Sequence, residues 1–172
     1  MLDQLHIRDE RSEDADAVHA LLKAAFGPDD PAVPPLVDSL RRNNRLSVAL
    51  VAEAGGVLIA FAAASEAWAQ HGEADIAAIA PVAVVPAFQR KGIGTRLMRE
   101  VLDRCRRAGF EAAVVLGDPA FYSRVGFTPA TEAHLHCGWC DGPAFQAIAL
   151  QPGALERIDG LVEYDPCFDE CN

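Results

Sequence analysis

The sequence predicts an α/β fold, a mixed sheet flanked by helices, and three observations carry that expectation. Residues Val82 to Gly94 pass from an apolar strand through a short glycine turn into an amphipathic helix. Two apolar runs, Ser47–Ala54 and Val57–Ser65, meet at Gly55-Gly56, which is a hairpin signal. Strand-like and helix-like spacings of apolar residues then succeed one another in the order β-α-α-β-β-β-α-β-α-β.

The elements follow in chain order. Leu5-His6-Ile7-Arg8 alternates and reads as a first strand. Ser12 or Asp14 can cap a helix over Ala15–Phe26, where Val18, Leu21, Leu22 and Ala25 keep helical spacing, and Gly27-Pro28 stops it. Asp29 to Pro35 is proline-rich and expected to be a loop, with a short helix over Leu36–Arg42 after it. Beyond the hairpin, Glu66 to Glu73 reads as a mixed loop and Asp75–Val85 as the central strand. Pro81 lies inside that strand, and because proline has no N–H to donate, pairing should break there. A helix over Gly94–Arg107 carries its apolar stripe at Ile93, Leu97, Met98, Val101, Leu102 and Cys105, and ends at Gly109. Glu111–Leu116 returns as a parallel strand of the buried type, and Pro119–Val125 is a short helix ended by Gly126. The tail from Phe127 is expected to add two strands, Phe145–Leu150 being the clearer.

At 172 residues, 51% of them apolar, the chain suits one domain spanning 1–172 with a core that requires neither metal nor disulfide. No apolar run approaches the ~18 residues of a membrane helix. Met1-Leu2-Asp3-Gln4 lacks the basic region and apolar core of an export signal. Five cysteines, one of them (Cys105) on the apolar stripe of a helix, point to reduced thiols and a cytoplasmic location. A net charge of −10 argues against nucleic acid or an anionic membrane as partner.

That charge is unevenly spread. Between residues 90 and 107 stand Arg90, Lys91, Arg96, Arg99, Arg104, Arg106 and Arg107 against Glu100 and Asp103 alone. Most of these read as a solvated helix face, with Arg96 and Glu100 spaced for an i,i+4 pair. Arg90 and Lys91, beside the glycine turn, suit a polyanion instead. The first N–H groups of a helix have no partner within it, and the helix dipole adds partial positive charge there. Gly92 and Gly94 allow a bulky anion to approach the main chain, so the turn reads as a diphosphate cradle. It is neither the dinucleotide fingerprint, which needs a third glycine, nor the nucleotide P-loop, which needs Gly-Lys-Ser/Thr.

Gln89-Arg90-Lys91-Gly92-Ile93-Gly94 resembles the Q/R-x-x-G-x-G/A acyl-CoA motif of the GNAT superfamily of N-acetyltransferases. Ala120-Phe121-Tyr122-Ser123-Arg124-Val125-Gly126-Phe127 is similar to a second motif of that superfamily, and Gly117-Asp118-Pro119 with Gly160-Leu161-Val162-Glu163-Tyr164 resembles its YhbS-like branch. The resemblance implies a mostly antiparallel sheet in which the central strand splays from a parallel neighbour. The gap would receive the pantetheine arm of acetyl-CoA as co-substrate. On that basis Val82, Ala83, Val84, Gln89, Arg90, Lys91, Gly92, Ile93, Gly94, Thr95 and Tyr122 are expected to bind the coenzyme. The Val84 N–H would polarise the thioester carbonyl, a donor worth about 3 kcal/mol.

By the same resemblance Tyr122 is the general acid that protonates the departing thiolate. A phenol with a pKa near 10 keeps its proton at neutral pH. Phe121 and Phe127 read as core. Glu66, Glu73, Asp75 and His71 lie at the strand ends nearest the expected cleft, and Glu66 is named as candidate base, with a water chain as the alternative. Cys105 points to the core, which favours direct transfer to an amine acceptor over a covalent enzyme intermediate. A non-catalytic acyl-CoA-binding module is the rival reading. The resemblance further implies pairing as a homodimer through the C-terminal strands, while the sequence leaves oligomeric state, acyl length and acceptor open.

One cluster competes for notice. His134, His136, Cys137 and Cys140, with Cys167 and Cys171 farther on, could supply soft zinc ligands, yet their spacing does not match a zinc ribbon. No metal is expected.

Overall fold

The computed structural model describes residues 4–139 and 142–171. Among the described residues nine strands form one mixed sheet in the order β1-β2-β3-β4-β5-β8-β6, and β9 with β7 branches from the far half of β3. The strands are β1 His6–Asp9, β2 Val48–Ala54, β3 Val57–Gly72, β4 Ile76–Val84, β5 Ala112–Leu116, β6 Thr128–Pro129, β7 Leu135–Cys137, β8 Phe145–Ala149 and β9 Ile158–Tyr164. The helices are α1 Ala15–Phe26, α2 Val33–Arg42, α3 Ile93–Arg107 and the single turn α4 Pro119–Tyr122.

Alternation along the strands assigns each face its helix. Leu50, Ala52, Ala60, Ala62 and Ala64 join Leu97, Met98, Val101 and Cys105 of α3 in one core. Val51, Phe61 and Ala63 point the other way, onto Val18, Leu21 and Leu22 of α1 and Val37 of α2. Alanines through the middle of β3 let both helical layers approach closely. Asp14 stands at the start of α1 but does not cap it as expected. Its carboxylate accepts from the Arg11 N–H and pairs with both Nη atoms of Arg8 at 2.7 and 3.1 Å.

Two expectations about loops are corrected. The expected loop before α2 ends early, because Pro34 and Pro35 fall in the first helical turn, where a missing N–H costs nothing. The expected loop Glu66 to Glu73 belongs largely to β3, which continues to Gly72. Ala67 pairs with Ile76 on one side and Tyr164 on the other, so β9 takes over the edge that β2 leaves. The tail contributes four strands where two were expected, since β7 and β9 pair in parallel with each other and β9 closes onto β3.

The sheet forks at Pro81. β4 pairs in parallel with β5 over Ile76–Ile79 only, and beyond that point it keeps β3 alone. On β3 the register jumps between Ala62 and Ala64, so Ala80 and Pro81 together oppose Ala63 as a bulge. A proline without a donor is the local cause of the break.

Candidate active site

A cleft of about 980 Å³ fills the fork, outside the carboxyl ends of the parallel strands β4 and β5. Open α/β sheets place their ligands at such a crevice, and the size lies in the range of small-molecule sites. One wall is the free half of β4. The Val85 N–H donates to the Ile59 carbonyl at 2.9 Å, directly across the ladder. Antiparallel bonds alternate, so Ala83 also faces β3 while the N–H and C=O of Val82 and Val84 turn to the gap. The Ala83 side chain packs with Phe61 beneath α1. Ala83 therefore leaves the set expected at the cleft.

The floor is the turn into α3. Arg90 and Gly92 take left-handed backbone, φ +60° and +81°, and deliver the chain to a helix whose first amides have no internal partner. The two glycines serve different ends. Gly92 has open space where a Cβ would stand, so its conformation is what glycine supplies. At Gly94 a Cβ would meet the Phe121 ring at 3.2 Å, so that glycine admits the ring. Gln89 lines the cleft, and its side chain donates to the Val84 carbonyl at 2.9 Å, which pins the turn to the strand end. Arg90 and Thr95 line the cleft; the Ile93 side chain is buried in the core, leaving only its main chain for the turn. Lys91 is not among the lining residues, and its ammonium sits 5.6 Å from the centre of the Phe88 ring. On the helix beyond, Glu100 pairs with Arg104 at 3.2 Å where Arg96 was expected, the acid preceding the base as the helix dipole favours.

Opposite β4 stand Gly117, Asp118, Phe121, Tyr122 and Arg124. Asp118 caps α4, accepting from the Ala120 N–H at 2.9 Å. Tyr122 is 8% exposed and packs edge-to-face against Phe121 and Phe127. Burial raises its pKa from 10 to about 12, so the phenol is protonated through neutral and mildly alkaline pH. Gln146, 1% exposed, donates to the carbonyls of Gly117 and Ala144, both at 3.2 Å, and fixes the loop from which α4 starts. Sequence reasoning missed Gln146; a glutamine among the apolar residues of a strand was the available signal.

The expectation for Glu66 fails. It is exposed on β3 and borders a separate small pocket with Arg45 and Asp165, not the cleft. In the histidine–cysteine cluster, strand alternation sends Cys137 inward and His136 to solvent, while Cys140 lies outside the described residues. Among the described residues no group of three such side chains is placed to hold a metal ion.

Comparison with known proteins decides the family. The description "Acetyltransferase (GNAT) family" matches residues 15–127. The chain belongs to the GNAT acetyltransferases. This acetyltransferase is 38% identical over 165 residues to the N-acetyltransferase YhbS of Escherichia coli K12, covering 95% of its own chain and 98% of the relative. Its fold superposes on the crystal structure of E. coli YhbS in complex with CoA with a TM-score of 0.90 at 37% identity, covering 96% and 92% of the two chains. A GNAT acetyltransferase of Brucella melitensis, solved with acetyl-CoA, matches with a TM-score of 0.79 at 34% identity over 96% and 98%. Among the described residues this GNAT acetyltransferase has no helix long and apolar enough to cross a membrane.

Proposed function

We propose that this protein is an acetyl-CoA-dependent N-acetyltransferase of the cytoplasm, acting as one domain over 1–172, which moves the acetyl group to a primary amine by direct attack in a ternary complex. The observation that carries this reading is the fork. Half of β4 presents unpartnered amides beside the N-terminus of a basic helix, with a buried phenol across the gap.

The parts fit the coenzyme. Its diphosphate would take the amides from Gly92 to Thr95 with Arg90 beside them, because a helix N-terminus and a cation both favour negative charge. Its arm would pair with Val82 and Val84, replacing the strand partner that β4 lacks. As the amine attacks the acetyl carbonyl, charge develops on oxygen, and the Val84 N–H is the donor that meets it. When the C–S bond breaks the thiolate takes the Tyr122 proton, which burial keeps in place across the working pH range. The amine proton passes to solvent through water in the cleft.

The test is calorimetric titration with acetyl-CoA together with thiol release across an amine panel. Binding followed by amine-dependent thiol release supports transfer. Binding with no release from any amine converts the protein to an acyl-CoA-binding module.

A further inference from the structure

We infer that the acceptor is a small cationic amine carried on an aromatic or similarly flat apolar body and free of carboxylates; this rests on the acetyltransferase reading. The end of the cleft away from α3 is walled by three rings to which the coenzyme reading gives no part. Trp139 and Tyr164 pack edge-to-face with centres 5.2 Å apart, and Tyr164 and Phe168 do so at 5.0 Å. All three line the cleft. Phe168 and Tyr164 belong to a cluster with Leu36 of α2 and Ala80 of β4, so the wall abuts the bulge at the fork.

Trp139, packed on Tyr164, leaves 49% of its surface exposed. An aromatic held at a cleft by its neighbours, half in water, gains from covering by another flat apolar group. Ring faces also attract cations. Charge along the cleft is divided to match. Arg90 and Arg124 are its cations, on the side of α3 and α4. Among the described residues Asp30, between α1 and α2, is the lining carboxylate left after Asp118 has capped its helix. A carboxylate beside an aromatic wall favours an ammonium-bearing acceptor and disfavours an acidic one.

The experiment measures kcat/KM by thiol release from acetyl-CoA with phenethylamine, tryptamine, butylamine, glutamate and a tripeptide of small residues. Expected is a preference of about tenfold or more for the two aryl amines. Trp139→Ala should raise the aryl-amine KM about tenfold with the acetyl-CoA KM unchanged. Asp30→Asn should lower kcat/KM for every cationic amine and narrow the gap to glutamate. Equal rates for butylamine and tryptamine, or best turnover of glutamate or the tripeptide, overturn the inference and leave acetyl transfer standing. No release from any amine overturns the underlying reading as well. Melting curves of both variants establish that they fold.

Discussion

The main chain of Gly117 lies against the ring of Tyr122, so close that a Cβ on the glycine would meet the tyrosine Cε2 at 2.5 Å. A separation that short forces movement of one partner. Gly117→Ala should displace the phenol and destabilise the fold by about 1–3 kcal/mol, the usual cost of overpacking. Thermal melting would register the loss. A parallel fall in kcat with little change in acetyl-CoA affinity is expected, because the ring moves and the α3 turn does not.

Tyr122→Phe keeps the ring and removes the proton. Affinity for acetyl-CoA should be almost unchanged while kcat falls by a hundredfold or more, on the order of what a general acid contributes. The wild-type kcat should show no alkaline decline below about pH 10 from this group, because its pKa is raised to about 12. A decline centred near pH 8 would remove Tyr122 from the acid role.

Gly92→Glu puts a carboxylate and a left-handed strain at the start of α3, where φ is +81°. Calorimetry should show acetyl-CoA binding lost in a protein whose circular dichroism is unchanged. Arg90→Ala should weaken binding more at low salt than at high, since an exposed charge is screened by ions.

Gln146→Leu withdraws the amide shared by the Gly117 and Ala144 carbonyls. The Gly117 carbonyl loses this donor, while the Ala144 carbonyl still accepts from the Gly117 N–H at 3.0 Å, so a loss of about 0.5–1.5 kcal/mol in denaturant unfolding is expected. A change under 0.5 kcal/mol, roughly the scatter of a neutral surface substitution, would mean the amide does not hold the loop.

Stability should fall on the alkaline side. Burial raises Cys105 from 9 to about 12 and Tyr122 from 10 to about 12. The unfolded chain therefore ionises first, binds fewer protons than the native one, and gains ground as pH rises. The stabilising contribution is whole below about pH 9 and drains away towards 12. Cys105→Ala should flatten the slope of melting temperature against pH between about 9 and 11, whatever it does to the melting temperature itself.

Local signals accounted for the helix Ile93–Arg107, the Gly55-Gly56 hairpin and the break at Pro81, because spacing, turn residues and a missing donor act within a few positions. What stayed hidden was set by distant parts of the chain. In the far half of β3, Ala67 is buried, Trp68 exposed and Ala69 partly buried, an alternation present in the sequence but broken by polar residues that suggested a loop. Its partner β9 lies some 90 residues on, and nothing near either segment announces the pairing. Gly94 was legible as a glycine of the turn, while the ring that needs the space, Phe121, was assigned to the core. The rings of Trp139, Tyr164 and Phe168 carry no shared spacing and meet only through the fold.

The sixteen-residue β3 has an economy of its own. Its first part supports the half of β4 that borders the coenzyme fork, and its last part carries β9, at whose end Tyr164 stands. On the reading proposed above, donor recognition and acceptor recognition hang from successive lengths of a single ribbon. Exchanging the segment 138–168 for that of a relative should retune which amine is accepted and spare the grip on the nucleotide.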